Sequence, residues 1–296
     1  MIQIFCPSTI KPKPTIQKKA ENQVFFGAKT DELIDYWKSE THSSKKANVF
    51  LSERELIDKA KQSKFTVVSP HMVLIDKRAN ISEGTVIMPF TWILGNVSIG
   101  KNSVVGPFVA IGPKSDTDTI NIGDNSRITL FSTLEGNPTV GNNVTVGPHS
   151  RLREDSIIKD NAKIGFAVEV QNSTIGEYSK AQHMTGLENT TVGKHVNIGG
   201  LSCTSTYNPF NKTNRTDVVI GDNSNLGANV ILEGPLTLPN KTMVASKSFI
   251  RNQDLPSPYI SQNNGNELPE GSLLVSRPEG ISVKPGWYDK QVSRSS

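Results

Sequence analysis

The nine residues YSKAQHMTG, 178–186, put a lysine and a histidine three positions apart in a chain whose other short units carry small or polar residues between their apolar ones. Histidine titrates near neutral pH, which suits it to take and return a proton. Lysine offers a point positive charge and arginine a planar fork, and both match anionic groups such as phosphate. Arg151 and Arg153 lie one to two coils of the repeat before His183, Lys180 lies just before it, and Lys212 sits in a long loop after it. Singly, each basic residue reads as a solvated surface group, and a lone histidine as a surface or satisfied core residue. Gathered, they read as a general base in a site for an anionic substrate. His195, in VGKHVN, occupies a polar position and reads as exposed and non-catalytic. Glu169 and Asn197 are polar strand tips that could face solvent or ligand, and Cys203 reads as a small loop residue. No Ser/His/Asp order, no metal-ligand cluster and no phosphate-cradling glycine loop stands out, so no metal is implied.

The elements that must position these residues are short repeats. From Ile81 an aliphatic residue recurs about every six positions, often followed by Gly and turn-forming polar residues, as in IGKNSV, VGPHSR, IKDNAK, IGEYSK and IGDNSN. Self-similarity at a short fixed period signals a solenoid. Six is even, so in extended chain each unit's aliphatic residue points to the same side. Gly or Asn at each corner would let the backbone turn with positive φ. Three units make one triangular coil with the aliphatic residues stacked inside. The fold class is therefore all-β, a parallel β-helix of the hexapeptide-repeat type, its left hand taken from known hexapeptide proteins. GPKSDTDT (112–119), LEGNPT (134–139) and LSCTSTYNPFNKTNRTDV (201–218) read as loop insertions, and the last as a candidate wall of a site.

Outside the repeat the pattern differs. Residues 1–50 read as an extension: a Lys-, Pro- and Gln-rich segment to 29, a short helix in TDELIDYWKSE capped by Thr30, and the linker THSSKKAN. A second helix at 53–62 opens with the capping box Ser52–Glu55. The coil domain then spans 51–254, and 255–296 forms an irregular, polar C-terminal tail.

The composition bounds the function. The chain has 296 residues, 35% hydrophobic and 6% aromatic, with 23 Gly, which suits a turn-dense β protein. A net charge of +4 without aromatic–basic interleaving does not argue for nucleic acid. No apolar run is long enough to span a membrane. The N-terminus lacks the apolar region of a signal peptide, and two distant cysteines, Cys6 and Cys203, suggest a reducing, cytoplasmic setting.

GPHSRLREDS, IGFAVEVQNSTIGEYSKAQHMTG, VGKHVNIGG and TYNPFNK together resemble the acetyltransferase half of the bacterial bifunctional GlmU family, from about Leu51 to Trp287. These segments are irregular, so ordinary hexapeptide repeats would not share them. The family joins a glucosamine-1-phosphate N-acetyltransferase to an N-acetylglucosamine-1-phosphate uridyltransferase. The resemblance implies acetyl transfer from acetyl-CoA to the amine of glucosamine-1-phosphate or a related amino-sugar phosphate, in UDP-N-acetylglucosamine biosynthesis, with His183 as general base. It puts Arg153, Glu169, Gln171, Asn197, Tyr207 and Lys212 on the sugar and its phosphate, and Ala228, Ser246 and Arg277 on CoA. It implies that 51–254 is the acyltransferase domain of a homotrimer, with each site built from neighbouring subunits and closed by the tail 255–296. The family's lysine is Gln171 here, its tyrosine after the histidine is Gly186, an asparagine is Thr206, and a serine on the CoA side is Ala228. Residues 1–50 show no nucleotide loop, so uridyl transfer would need a separate uridyltransferase. The departures leave two other readings open: the same chemistry on a nucleotide-linked amino sugar, and a non-catalytic scaffold.

Overall fold

The structure, a computed structural model, describes residues 49–207, 216–259 and 268–295. The chain divides into two compact units, Met1–Lys46 and Ala47–Ser296, and the described residues all belong to the second. The expected helix at TDELIDYWKSE and the segment before it lie outside the described residues, as does Lys212.

Helix Glu53–Ser63 forms where its capping box predicts. The Glu55 amide donates to Ser52 Oγ at 3.3 Å, and the Ser52 amide donates to Glu55 Oε2 at 2.8 Å. Both exchanges satisfy amides that the first turn leaves without intrahelical partners. Leu56 is the side chain this helix buries, and it covers the first end of the apolar core.

From Thr66 the chain winds as a parallel β-helix with three faces. The first face runs from Thr66–Val67 to Leu273–Arg277, the second from Leu74–Ile75 to Phe249–Arg251, and the third from Asn80–Ile81 to Leu236–Leu238. The coil therefore starts before Ile81. Its first corner is a short 3₁₀ turn at Pro70–Met72, which carries none of the glycine or asparagine signal that the repeat search relies on. Each strand pairs in parallel with the strand one coil on, as Thr145 with Lys163 and Val146 with Ile164, 18 residues apart. Ile87, Val105, Ile128, Val146, Ile164, Ala181, Ile198, Leu226 and Val244 stack inside the first face, none above 3% exposed. Burying each larger member of such a column is worth about 1.5–3 kcal/mol.

Two expectations about the corners need correction. LEGNPT is no insertion: Arg127 and Thr145 remain 18 residues apart in register, and Thr133–Glu135 and Thr139–Val140 are strands. The glycines of the IG and VG pairs, Gly147 apart, do not have positive φ. Phe90, Phe108, Asn125, Asn143, Tyr178 and His195 are among the residues with positive φ. The glycines serve close approach instead, since a Cβ on Gly123 would lie 2.6 Å from the Gly141 carbonyl carbon. The real insertions are two. Val104 and Arg127 are 23 apart, across 112–119, and Asn197 and Asn225 are 28 apart, across the last long loop. The first residues of that loop are strand Cys203–Ser205, so Cys203 is not a loop residue. Two successive coils are one residue short, Lys163 to Lys180 and Lys180 to Asn197, each 17 apart.

The described part of the tail is regular rather than irregular. Leu273–Arg277 continues the first face beside Met243–Val244, Gly280–Lys284 returns antiparallel to it, and helix Trp287–Ser295 follows. Apolar positions Leu274 and Ile281 join the core, which is why a polar-looking segment orders into a hairpin. No helix among the described residues is long and apolar enough to cross a membrane.

Buried hydroxyls hold the corners. Ser126 is fully buried; its Oγ donates to the Gly141 carbonyl at 2.8 Å and accepts the Val144 amide at 3.0 Å. Ser126→Ala strands both backbone groups, and should lower unfolding free energy by about 1–3 kcal/mol in urea titration. A loss near zero would mean that water replaces the hydroxyl and that the corner does not depend on it.

Candidate active site

The edge between the first and second faces carries His183. Strand Lys180–His183 buries Ala181 and ends with an exposed His183 at the turn, where Met184 takes φ of 41°. One coil on, the Leu201 amide donates to the His183 carbonyl at 3.1 Å, so the backbone here is fixed by the stacking. Among the described residues the imidazole itself has no hydrogen-bond or ionic partner, which leaves both nitrogens available to a ligand. The next residue on this line is Gly200, where a Cβ would stand 3.0 Å from His183 Cβ. Beyond it come Ala228 and Ser246, joined by the Ala228 amide donating to Ser246 Oγ at 3.1 Å. His183, Ala228 and Ser246 therefore share one edge, with only small residues above the histidine.

On the other side of His183 the same edge is filled with rings. Phe90, Phe108, Phe131 and His149 stack in sequence with centroids 4.8, 5.0 and 4.9 Å apart. Phe166 meets His149 edge-on at 5.8 Å. The line of the rings continues past His183 as the exposed Met184 and Leu201, while the line of His183 itself, Gly200, Ala228 and Ser246, is free of large side chains.

The second face carries the basic residues. Arg151 and Glu169 are partners in register, as are Glu169 and Gly186. Arg153 Nη1 donates to Gln171 Oε1 at 2.7 Å and to Glu169 Oε1 at 3.2 Å. Its Nε lies 3.2 Å from Glu135 Oε1 and 3.5 Å from Glu154 Oε2, ion pairs without aligned hydrogen bonds. Arg151 pairs with Glu135 and reaches Glu169 at 3.8 Å, and Lys114, from the first insertion, pairs with Glu154. Burial pushes the Glu154 carboxyl up, but the hydrogen bond and charge of Lys114, with Arg153 nearby, leave it below the ordinary carboxylate range. Burial raises the Cys203 thiol, so it stays protonated near neutral pH. Neither Glu135, Glu154 nor Lys114 stands out in the sequence. Their signal is the coil register, since Glu135 precedes Arg153 by 18 residues.

The basic residues do not gather around one imidazole within this chain. Lys180 lies on the far side of the first face, in a cavity of about 430 Å³ lined by Asn143, Asn161, Lys163, Tyr178 and His195. His195 is exposed there and stacks on Tyr178 at 4.9 Å, in keeping with a surface role. Asn197 is one coil above Lys180 on that face and lines a second cavity with Trp287 and Tyr288 of the C-terminal helix. Arg277 ends its strand exposed, opposite Gly280 in the hairpin. Tyr207 is exposed after Cys203–Ser205, while Thr206 turns inward and accepts from the Asn189 carboxamide at 2.9 Å. The structure therefore joins Arg153, Glu169 and Gln171 in one cluster and His183, Ala228 and Ser246 on one edge, and leaves Asn197 and Arg277 apart from both.

Comparison with known proteins gives a consistent picture. The family model described as the GMPPB C-terminal domain matches residues 117–253, and the bacterial transferase hexapeptide model (six repeats) matches 78–113. The protein named bifunctional protein GlmU from Thermotoga petrophila is 32% identical over 266 residues, 89% of this chain and 53% of its own. The GlmU of Fervidobacterium nodosum is 32% identical over 241 residues, 81% of this chain and 48% of its own. The chain thus spans about half the length of these curated relatives. Among solved structures, an Arabidopsis UDP-N-acetylglucosamine acyltransferase superposes with a TM-score of 0.52 at 10% identity, covering 76% of each chain, a likeness of fold.

The network makes a stability prediction. The Glu135 side chain is only 10% exposed and touches both arginines, whereas that of Glu169 is 48% exposed. Glu135→Ala should cost about 1–3 kcal/mol, because it leaves two half-buried guanidinium groups short of a partner. Glu169→Ala should cost under about 1 kcal/mol. Equal losses in denaturant titration would show that burial does not grade these pairs.

Proposed function

We propose that this chain, a homologue of the GlmU proteins matched over about half their length, is an acyltransferase that moves acetyl from acetyl-CoA to the amine of glucosamine-1-phosphate or a closely related amino-sugar phosphate. The observation that carries the reading is His183, exposed and unpartnered at an edge where Gly200 and Ala228 leave an open strip, one face away from two arginines.

In this reading His183 accepts the proton released as the sugar nitrogen bonds to the acetyl carbon and the carbon–sulfur bond breaks; a base so positioned is worth roughly two to four orders of magnitude in rate. Acetyl-CoA, as the second substrate, supplies the activated acetyl group. The bare strip fits its thin thioester arm, since a side chain at Gly200 would occupy that space. Ala228, Ser246 and Arg277 form the CoA side. Arg153 holds the sugar phosphate, and Glu169, Gln171, Asn197, Tyr207 and Lys212 line the acceptor. Asn197 and Arg153 are on different faces of one chain, so a site using both needs a second copy. A cyclic homotrimer meets that need, with the first face of one copy against the second face of the next. Arg127, Lys163 and Lys180 have no ionic partner among the described residues, and they give the first face a charge complementary to the carboxylates of the second. The reaction belongs to the cytoplasm, where acetyl-CoA is made available, and a uridyl-transfer step would consume the product.

His183→Ala should lower acetyl transfer, followed as free thiol, by a factor of about 10²–10⁴ while CoA binding by calorimetry is retained. Gly200→Val should also cost activity, by crowding the imidazole. Undiminished turnover in His183→Ala would remove the histidine from the mechanism. Elution of the native chain at the mass of one copy in light scattering would remove the shared site.

A further inference from the structure

The insertion at 112–119 is fastened to the coils before it at two points. A Cβ on Gly95 would lie 2.7 Å from Pro113 Cγ, so the proline ring rests on bare backbone. Three residues on, Asp116 Oδ1 accepts from Arg78 Nη1 at 2.8 Å, and the Asp116 carbonyl accepts from Asn96 Nδ2 at 3.3 Å. Arg78 is itself fixed, because its Nε and Nη2 donate to the two carboxylate oxygens of Asp76 at 3.0 and 2.9 Å. Asp76 is only 1% exposed, and a fork held by a buried carboxylate has one geometry.

Lys114 stands between those two anchors. Its ammonium pairs with Glu154, which belongs two coils further on. The Glu154 side chain lies over Gly136, where a Cβ would stand 3.2 Å from Glu154 Cγ. The absence of a side chain at Gly136 therefore opens the path between the carboxylate and the insertion. On its other side Glu154 Oε2 is 3.5 Å from Arg153 Nε. The contacts run in an unbroken line from Asp76, Arg78 and Asp116, through the insertion, to Lys114, Glu154 and Arg153.

Glu154 meets its two cations unequally. Lys114 donates a hydrogen bond to it, whereas the contact with Arg153 is an ion pair without an aligned hydrogen bond. Burial raises the Glu154 carboxyl, and the hydrogen bond from Lys114 is the largest influence that lowers it. A half-buried carboxylate deprived of its ammonium turns to the next cation within reach, because leaving the charge unpaired costs more. That cation is Arg153. A Glu154 aligned on its Nε draws the guanidinium toward the edge, away from Gln171 and Glu169, which hold Nη1 on the face at 2.7 and 3.2 Å.

We propose that Lys114 is a positioning residue for the anionic acceptor: the insertion is a strut that occupies Glu154 and so keeps the Arg153 guanidinium presented on the second face. The inference rests on the reading in which Arg153 holds the phosphate of an amino sugar, and adds to it a residue that acts through another. Lys114 itself does not touch the substrate.

The test uses the full chain and follows thiol release from acetyl-CoA with glucosamine-1-phosphate. Lys114→Met should raise KM for the sugar phosphate about fivefold, with kcat and the KM for acetyl-CoA within about twofold of native. Lys114→Arg, which keeps the charge, should return KM to within about twofold. Adding Glu154→Gln to Lys114→Met should return it as well, because the carboxylate that competes for Arg153 is gone. An unchanged KM in Lys114→Met overturns the proposal. A raised KM that Glu154→Gln does not relieve also overturns it, since Lys114 would then act on the substrate directly. Where the chain binds glucosamine-1-phosphate without acetylating it, the Kd from calorimetry takes the place of KM: the same pattern among the variants supports the strut while acetyl transfer falls. Neither binding nor turnover of glucosamine-1-phosphate by the native chain overturns both.

Discussion

The structure depends on one constraint, the coil-to-coil backbone ladder. Each strand amide donates to a carbonyl one coil away, as Arg127 to Val144, Arg151 to Val168 and Lys180 to Val196. Parallel strands have no side-chain freedom along that direction, so every outward residue sits about 4.8 Å from the residue in the same position of the next coil. Chemistry on such a scaffold is read in columns. A functional group can be moved to another face only by moving six residues, and to another height only by moving a whole coil.

That geometry explains both the acid–base network and the interior. Like charges stacked in one column would repel at about 5 Å. On the second face the column alternates instead, Arg151 against Glu169, and the neighbouring line sets Glu135 against Arg153. Inside, the same stacking turns serine and threonine into structural groups, because their hydroxyls span from one coil to the next. Where two coils lose a residue, Asn172 and Asn189 join this pattern: the Asn172 carboxamide donates to Asn189, which donates to Thr206. The shortened edge follows directly after Gln171 and Glu188, so the irregularity borders the arginine cluster.

Much of this was legible in the sequence, because the aliphatic column repeats and the capping box is local. Ile81, Ile87, Ile99 and Ile122 announce the solenoid by spacing alone, and Ser52 and Glu55 announce the helix by type. What was not legible depended on neighbours one coil away. Glu135 looks like part of a loop until its register with Arg153 is known. Lys180 looks like a companion of His183 because it is three residues away, yet strand Lys180–His183 crosses the width of the first face, and Arg153 stands around a corner on the second. The glycines were misread for the same reason: their role is contact with the following coil, which no single unit displays.

A prism of this kind has flat faces and convex edges, and neither can surround a small molecule. His183 on its edge is open to water, where charge–charge attraction is weak, while Arg153 on its face is mostly covered by its own carboxylate partners. Acetyl transfer between two bound substrates needs the opposite: reacting atoms held within a few ångströms and water kept away. The scaffold can meet that need only by adding a second surface. Two features are suited to supply it in the assembly proposed above: the first-face lysines, without ionic partners among the described residues, and the carboxylate-rich second face, of opposite charge. The C-terminal helix, which lines a cavity with Asn197 and Asn225, adds a wall within one chain. The regular core thus fixes where each group stands, and the enclosure that makes those groups reactive must come from surfaces meeting, not from the coil itself.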